Sequence, residues 1–194
     1  MKTKFDFFQP SDIEFLMRAL VISLLIMALL HSFKPYLGDS VAADRAAVED
    51  LARQSRFMTP GEVTGYLKQS ARPTMLVVYA SWCQYCKMVM PSLRDLWSEG
   101  TLPGDQMLVV SLDTQLNPLA EYLLANRLDP MIGVPVILKA NETSALRKAL
   151  RPLGSSFTGG IPYIGFFDKG GQLLDEVHGA VDKNELERAL VKLK

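Results

Sequence analysis

The chain has 194 residues, enough for one ordinary domain and an appendage but short for two full domains. Its 21 Lys and Arg balance 21 Asp and Glu, and the basic residues do not gather on one segment, which argues against a nucleic-acid binder that works by displacing counterions. Apolar residues make up 48 % of the chain, so it is not disordered, and with two cysteines, Cys83 and Cys86, no disulfide framework holds the fold.

The N-terminal segment Ile13 to Phe33 reads IEFLMRALVISLLIMALLHSF and is apolar except at Glu14, Arg18, Ser23, His31 and Ser32. As one helix it would be roughly 31 Å long, the thickness of a bilayer's hydrocarbon core. The expectation is a transmembrane anchor over 13–33, with Arg18 snorkelling to the headgroups, rather than a buried globular helix. A small-x-small triplet, Ser40-Val41-Ala42, lies well beyond the apolar run. The leading residues include Asp6, Asp12 and Glu14, so a retained anchor is favoured over a cleaved signal peptide. Lys2, Lys4 and Arg18 precede the apolar core and Lys34 and Arg45 follow it. That small excess points to a cytoplasmic tail over 1–12 and an exported C-terminal domain.

Residues 34–56 are polar and Ala-rich and read as a linker with a short helix. Thr59-Pro-Gly-Glu62 has the form of a capping box with Pro at the first helical position. Met75-Leu-Val-Val-Tyr-Ala80 and Met107-Leu-Val-Val-Ser-Leu112 are apolar, β-branched runs of the kind found in buried strands. A helix beginning near Cys83 follows the first, and one from Asn117-Pro118 through Leu128 follows the second. Asn141 to Arg151 reads as a further helix, with Arg147, Lys148 and Arg151 on its polar side. Tyr163 to Phe167 and Leu173 to Val177 flank a Gly-containing turn and predict a hairpin, and Asp182-Lys-Asn-Glu185 opens a closing helix. This order predicts an α/β domain with a mixed sheet flanked by helices.

Cys83-Gln84-Tyr85-Cys86 sits where a buried strand ends and a helix begins. The unpaired N–H groups and partial positive charge of a helix's first turn stabilise a thiolate on Cys83. Cys86, one turn on, is placed to attack a mixed disulfide on Cys83 and release the substrate, a two-electron exchange that needs no cofactor. Half of a zinc site and a pair of inert buried thiols are the alternatives. The first lacks ligands, since only His31 and His178 could assist the cysteines.

Tyr79-Ala-Ser-Trp82-Cys-Gln-Tyr-Cys-Lys87-Met88, with Pro91 in the helix, resembles the active-site segment of the thioredoxin superfamily. Gly160-Ile161-Pro162 resembles that family's loop opposite the cysteines, whose proline is cis, and the likeness extends over Phe57 to Lys194. The resemblance implies a thioredoxin-like fold over 57–194 and thiol–disulfide oxidoreductase activity at Cys83 and Cys86. It also implies a substrate surface of Trp82, Gln84, Tyr85, Ile161 and Pro162. Implied partners are cysteine-containing exported proteins and a membrane redox partner that resets the pair, at the inner membrane with the domain facing a periplasm-like space. The direction of electron flow stays open. A peptide-binding or assembly factor with non-catalytic cysteines is the rival from another class, and a redox sensor a narrower one.

Three departures stand out. The family's buried acid six positions before the first cysteine is Val77 here, and its basic partner on the next strand is Val109. Gln84-Tyr85 between the cysteines does not reveal the redox poise. A long segment precedes the Gly160-Ile161-Pro162 loop and is expected as an insertion over about 129–158, placed to shape partner choice or to cover a sheet edge. It contains Gly133-Val-Pro135, a competing candidate for the active-site loop. Pro162 itself could be an ordinary turn proline, and His178 is read as a structural histidine.

Overall fold

A computed structural model describes residues 17–27, 44–102, 104–139 and 142–193. The chain divides into two compact units, Met1–Ala46 and Ala47–Lys194. In the first unit residues 17–27 are helical, and Met17, Leu20, Ile22, Leu24, Leu25 and Met27 are exposed along that helix. It spans about 16 Å, and among the described residues no helix is long and apolar enough to cross a membrane. The remainder of the expected 13–33 span, and the tail over 1–12, lie outside the described residues.

The second unit is a six-stranded mixed sheet with helices on both faces. Helix α1 covers 44–54, and β1 (Arg56–Met58) follows at once. Thr59 then caps α2 (Pro60–Gln69) with both halves of the capping box in place. The chain continues through β2 (Thr74–Tyr79), α3 (Gln84–Ser98), β3 (Met107–Ser111), α4 (Leu116–Ala125), α5 (Asp129–Ile132), β4 (Val136–Leu138) and α6 (Thr143–Leu150). It closes with β5 (Tyr163–Phe167), β6 (Leu173–His178) and α7 (Lys183–Leu190). The strand order is β1-β4-β3-β2-β5-β6. The first four strands are parallel, β5 runs antiparallel to β2, and β6 antiparallel to β5.

Alternation along the strands divides the core in two. Met75, Val77 and Tyr79 of β2 face a cluster completed by Val109, Ile164, Phe166, Cys86, Leu93, Leu119, Leu123 and Leu186. Leu76 and Val78 face the other, with Val63, Leu67, Leu146, Leu150, Phe157 and Phe167. Each side chain so buried contributes about 1.5–3 kcal/mol of transfer free energy.

Three details differ from the sequence reading. The 34–56 segment is not a spacer throughout: α1 places Leu51 and Ala52 in the first core cluster, and Arg56 already pairs with Val136. The segment expected as an insertion over 129–158 supplies β4, an inner strand between β1 and β3. Three residues are too few to show a period-two pattern. The helix expected to run through Leu128 stops at Ala125, where Arg127 turns to φ 54° and the Leu128 N–H closes back onto the Leu123 carbonyl at 2.9 Å.

Candidate active site

Strand β2 is buried along its whole length and carries the chain to the C-terminal edge of the parallel sheet. There Cys83 N–H donates to the Ala80 carbonyl at 3.1 Å, a tight turn that presents Ser81 and Trp82 before α3 starts. Cys83 is the N-cap of α3. Its sulfur takes the place usually held by a Ser or Asp oxygen and accepts the Cys86 N–H at 3.3 Å. Both thiols are free. Cys83 keeps 7 % of its surface in contact with solvent, whereas Cys86 is wholly buried.

That difference sets the chemistry of the pair. Burial pushes the Cys86 thiol far above its ordinary value, and its hydrogen bond with Cys83 pushes the same way; a hydrogen bond from the Ala80 backbone opposes them. Cys83 is the less buried of the two, and Cys86 is held as a protonated thiol behind it.

Across the site the Ile161–Pro162 peptide is cis. The Cys83 thiol donates to the Ile161 carbonyl at 3.6 Å, and the Pro162 carbonyl accepts the Gly179 N–H at 2.9 Å, tying the loop to the end of β6. Trp82 and Tyr85 are 65 % and 60 % exposed, Gln84 is exposed, Ile161 half-buried and Pro162 buried. The structure thus brings Ile161 and Pro162 to the dithiol. Pro135 instead leads into β4, where its carbonyl accepts the Arg56 N–H at 2.8 Å.

Val77 and Val109 are register partners, both buried, so the central strand pair carries no charge where the family places one. A carboxylate stands just beyond the end of β3 instead. Asp113, 4 % exposed, lies two residues beyond Ser111, the register partner of Tyr79. Ser81 donates to it from the backbone at 2.9 Å and from its hydroxyl at 2.6 Å, and the Ser111 hydroxyl donates at 2.5 Å. Tyr122 on α4 closes this side. Burial, with smaller electrostatic contributions from the dithiol and Asp113, pushes its hydroxyl up to about 12. The sequence reading missed Asp113 and Tyr122. The i, i+2 spacing of Val109, Ser111 and Asp113, which runs two residues past the end of β3, was the available signal for Asp113.

Behind the loop, Tyr163 is fully buried and shares a hydrogen bond with Ser155 at 2.7 Å while donating to Glu176 at 3.1 Å. His178 Nε2 lies 3.3 Å from the Ser156 hydroxyl and 3.4 Å from Glu176, a structural setting. Among the described residues no three His, Cys, Asp or Glu side chains gather into a metal-binding set.

The chain is similar to several solved structures. A thiol:disulfide interchange protein of the thioredoxin family from Chlorobium tepidum is 18 % identical over 67 % of this chain and 83 % of its own, with a TM-score of 0.49. A DsbE-type interchange protein from the same organism is 22 % identical over 67 % and 84 %, with a TM-score of 0.45. A secreted disulfide oxidoreductase of Mycobacterium tuberculosis is 14 % identical over 64 % and 84 %, with a TM-score of 0.46. The search of curated proteins finds no match. The model of the thioredoxin-like domain matches residues 62–194, more than half of the chain, and the chain belongs to that family.

Proposed function

We propose that this chain is a thiol–disulfide oxidoreductase acting on cysteine pairs of exported proteins, with Cys83 as attacking sulfur and Cys86 as resolving thiol. The observation that carries this reading is the asymmetry of the pair: Cys83, which keeps a little accessible surface and lies beside the Ile161 carbonyl, and a wholly buried Cys86 one turn behind whose thiol is pushed up by burial. In the reductive direction the Cys83 thiolate attacks a substrate disulfide, forming a mixed disulfide and expelling one substrate thiolate. Cys86 then attacks Cys83 and expels the second, so two electrons pass to the substrate and the dithiol becomes a disulfide. Oxidation is the same sequence reversed. Trp82, Gln84 and Tyr85 supply contact surface, and Ile161 with Pro162 offers backbone to an extended substrate strand.

Reduction of a disulfide-bonded test protein such as insulin, in the presence of a chemical reductant, tests this reading. Cys83→Ser is expected to abolish turnover, and Cys86→Ser to stop at a stable mixed disulfide. Equal turnover by Cys83→Ser would favour the peptide-binding rival, in which the exposed Trp82 and Tyr85 dock a partner without exchange chemistry.

The apolar run over 13–33 supports a single-pass anchor at the inner membrane, with the domain exported and a membrane redox partner resetting the dithiol. The full chain is then expected to stay with membranes through carbonate extraction, and a chain starting near Val41 to be released. Release of the full chain overturns the anchor.

A further inference from the structure

Helix α6 has an apolar side and a cationic one. Leu146 and Leu150 are buried in the second core cluster, whereas Arg147, Lys148 and the Arg151 that follows the helix are exposed. Arg147 and Arg151 stand one turn apart on the same stripe, with Lys148 beside them, and like charges at that spacing repel. Among the described residues none of these three side chains forms a hydrogen bond or an ion pair. No Asp or Glu occurs between positions 143 and 167. The C-terminus of a helix presents about half a unit of negative charge, which answers less than one of the three positive ones. The chain as a whole carries no net charge, so the surplus is local.

The three cations line a cavity of about 470 Å³ with Ser155, Ser156 and Thr158. Ser155 and Ser156 already bind Glu176, whose carboxylate also meets Tyr163 and His178, and none of the three cations is among its partners. The Thr158 hydroxyl and the backbone N–H groups of Thr158, Gly159 and Gly160 donate to nothing among the described residues. This open stretch of backbone runs straight into Ile161, whose carbonyl lies 3.6 Å from the Cys83 sulfur. Three residues span at most about 11 Å. Thr158, in the wall of the cavity, is therefore within that reach of the residue that faces Cys83.

We propose that Arg147, Lys148 and Arg151 dock an acidic segment of the substrate protein, about three to six residues from its reactive cysteine. The inference rests on the redox reading of the dithiol and names the class of protein it acts on. The guanidinium forks of Arg147 and Arg151 suit carboxylates bidentately, and Lys148 adds a point charge. The free donors at Thr158, Gly159 and Gly160 meet the backbone of the same substrate strand, which continues along Ile161 to Cys83. A protein segment is the occupant, rather than a free anion or a lipid surface, because the cationic cavity and the loop beside Cys83 are joined by this one unpaired stretch. No covalent step is added, so the exchange chemistry is unaltered and the gain lies in capture.

The test uses the reduced full chain and two synthetic peptides, each closed by one disulfide. They are identical except for a run beginning a few residues from one cysteine, Glu-Asp-Glu in the first and Gln-Asn-Gln in the second. Acid-quenched single turnovers give the second-order rate of disulfide transfer from each. The acidic peptide is expected to react about tenfold faster at low salt, the scale of local charge steering. That ratio should fall toward one at about 0.5 M salt, where surface charges are screened. Arg147→Gln with Arg151→Gln should bring the ratio to about one already at low salt. Lys169→Gln with Arg188→Gln, which removes the same charge from exposed positions elsewhere, should keep it. Equal rates on the two peptides in the wild type overturn the proposal. If phosphatidylglycerol vesicles then bind the wild type more tightly than the Arg147 and Arg151 double variant, the cations serve a lipid surface instead. A ratio kept by that double variant also overturns the proposal. Should the variant not fold, the salt series on the wild type decides, and a preference that survives high salt overturns it. No transfer from either peptide overturns the redox reading itself, whereas equal transfer from both overturns this inference alone.

Discussion

The Ile161 carbonyl oxygen stands 3.6 Å from the Cys83 sulfur, across 78 residues of chain. That contact joins two separate pieces of sheet architecture: the junction of a parallel strand with its helix, and the entry to an antiparallel hairpin. Since β5 pairs with β2 itself, Val78 opposite Tyr163, the loop before β5 is delivered to the end of β2 by backbone register. A substrate strand lying along Ile161 would therefore present its sulfur to Cys83, next in the chain to the exposed Trp82.

This geometry separates docking from folding at Trp82. The indole is 65 % exposed, so Trp82→Ala should change stability by no more than about 0.5 kcal/mol. If the ring is contact surface for partners, its loss should lower kcat/KM on a protein disulfide by about tenfold, the weight of an interface aromatic. The effect should be much smaller on a small disulfide such as oxidised glutathione. Equal effects on both substrates would remove Trp82 from the docking surface.

Much of this arrangement is legible in the sequence, for identifiable reasons. β2 and β3 are apolar runs because parallel strands are covered on both faces. The caps at Thr59 and Asp182 announce themselves because a side-chain oxygen three residues before its N–H partner is a local pattern, and both form, Asp182 accepting the Glu185 N–H at 2.8 Å. β1 and β4 are not legible, since three residues each carry no periodicity. Asp113 is hidden for a different reason. Its meaning comes from Ser81, 32 residues away, and that pairing exists only once the register of β2 on β3 is known. The same holds for Glu176, whose partners Ser155 and Ser156 approach it from the segment before the hairpin.

Glu176 makes a prediction in pH. Burial pushes its carboxyl up, but the Ser156 hydroxyl and amide, His178 and the Tyr163 hydroxyl together outweigh burial and hold it below its ordinary value of 4.5. A carboxyl depressed in the folded state contributes stability that is fully present above 4.5 and is lost as pH falls through the folded value. Glu176→Gln should therefore melt below wild type at neutral pH, with the gap narrowing as the solution is acidified beneath the carboxylate range. Thermal melts of the two proteins across that range check this, and a gap independent of pH would mean that the charge of Glu176 plays no part.

Gly165 supplies the last prediction, because the strand behind the loop depends on its missing side chain. A Cβ built there would lie 2.5 Å from the Tyr163 hydroxyl, 2.7 Å from Cε2 of Phe167 and 3.0 Å from Cζ of Tyr163. Both rings are fully buried, and the Tyr163 hydroxyl is committed to Ser155 and Glu176, so neither ring can yield without losing packing or hydrogen bonds. Overpacking of this kind costs about 1–3 kcal/mol, which for a unit of this size lowers Tm by about 3–10 °C. Gly165→Ala should show that drop in a thermal melt. Because Tyr163 directly follows Pro162, its displacement should also slow turnover at saturating substrate. A variant that melts and turns over like wild type would mean that β5 has room the two rings do not leave it, and that the loop opposite Cys83 is not braced from behind.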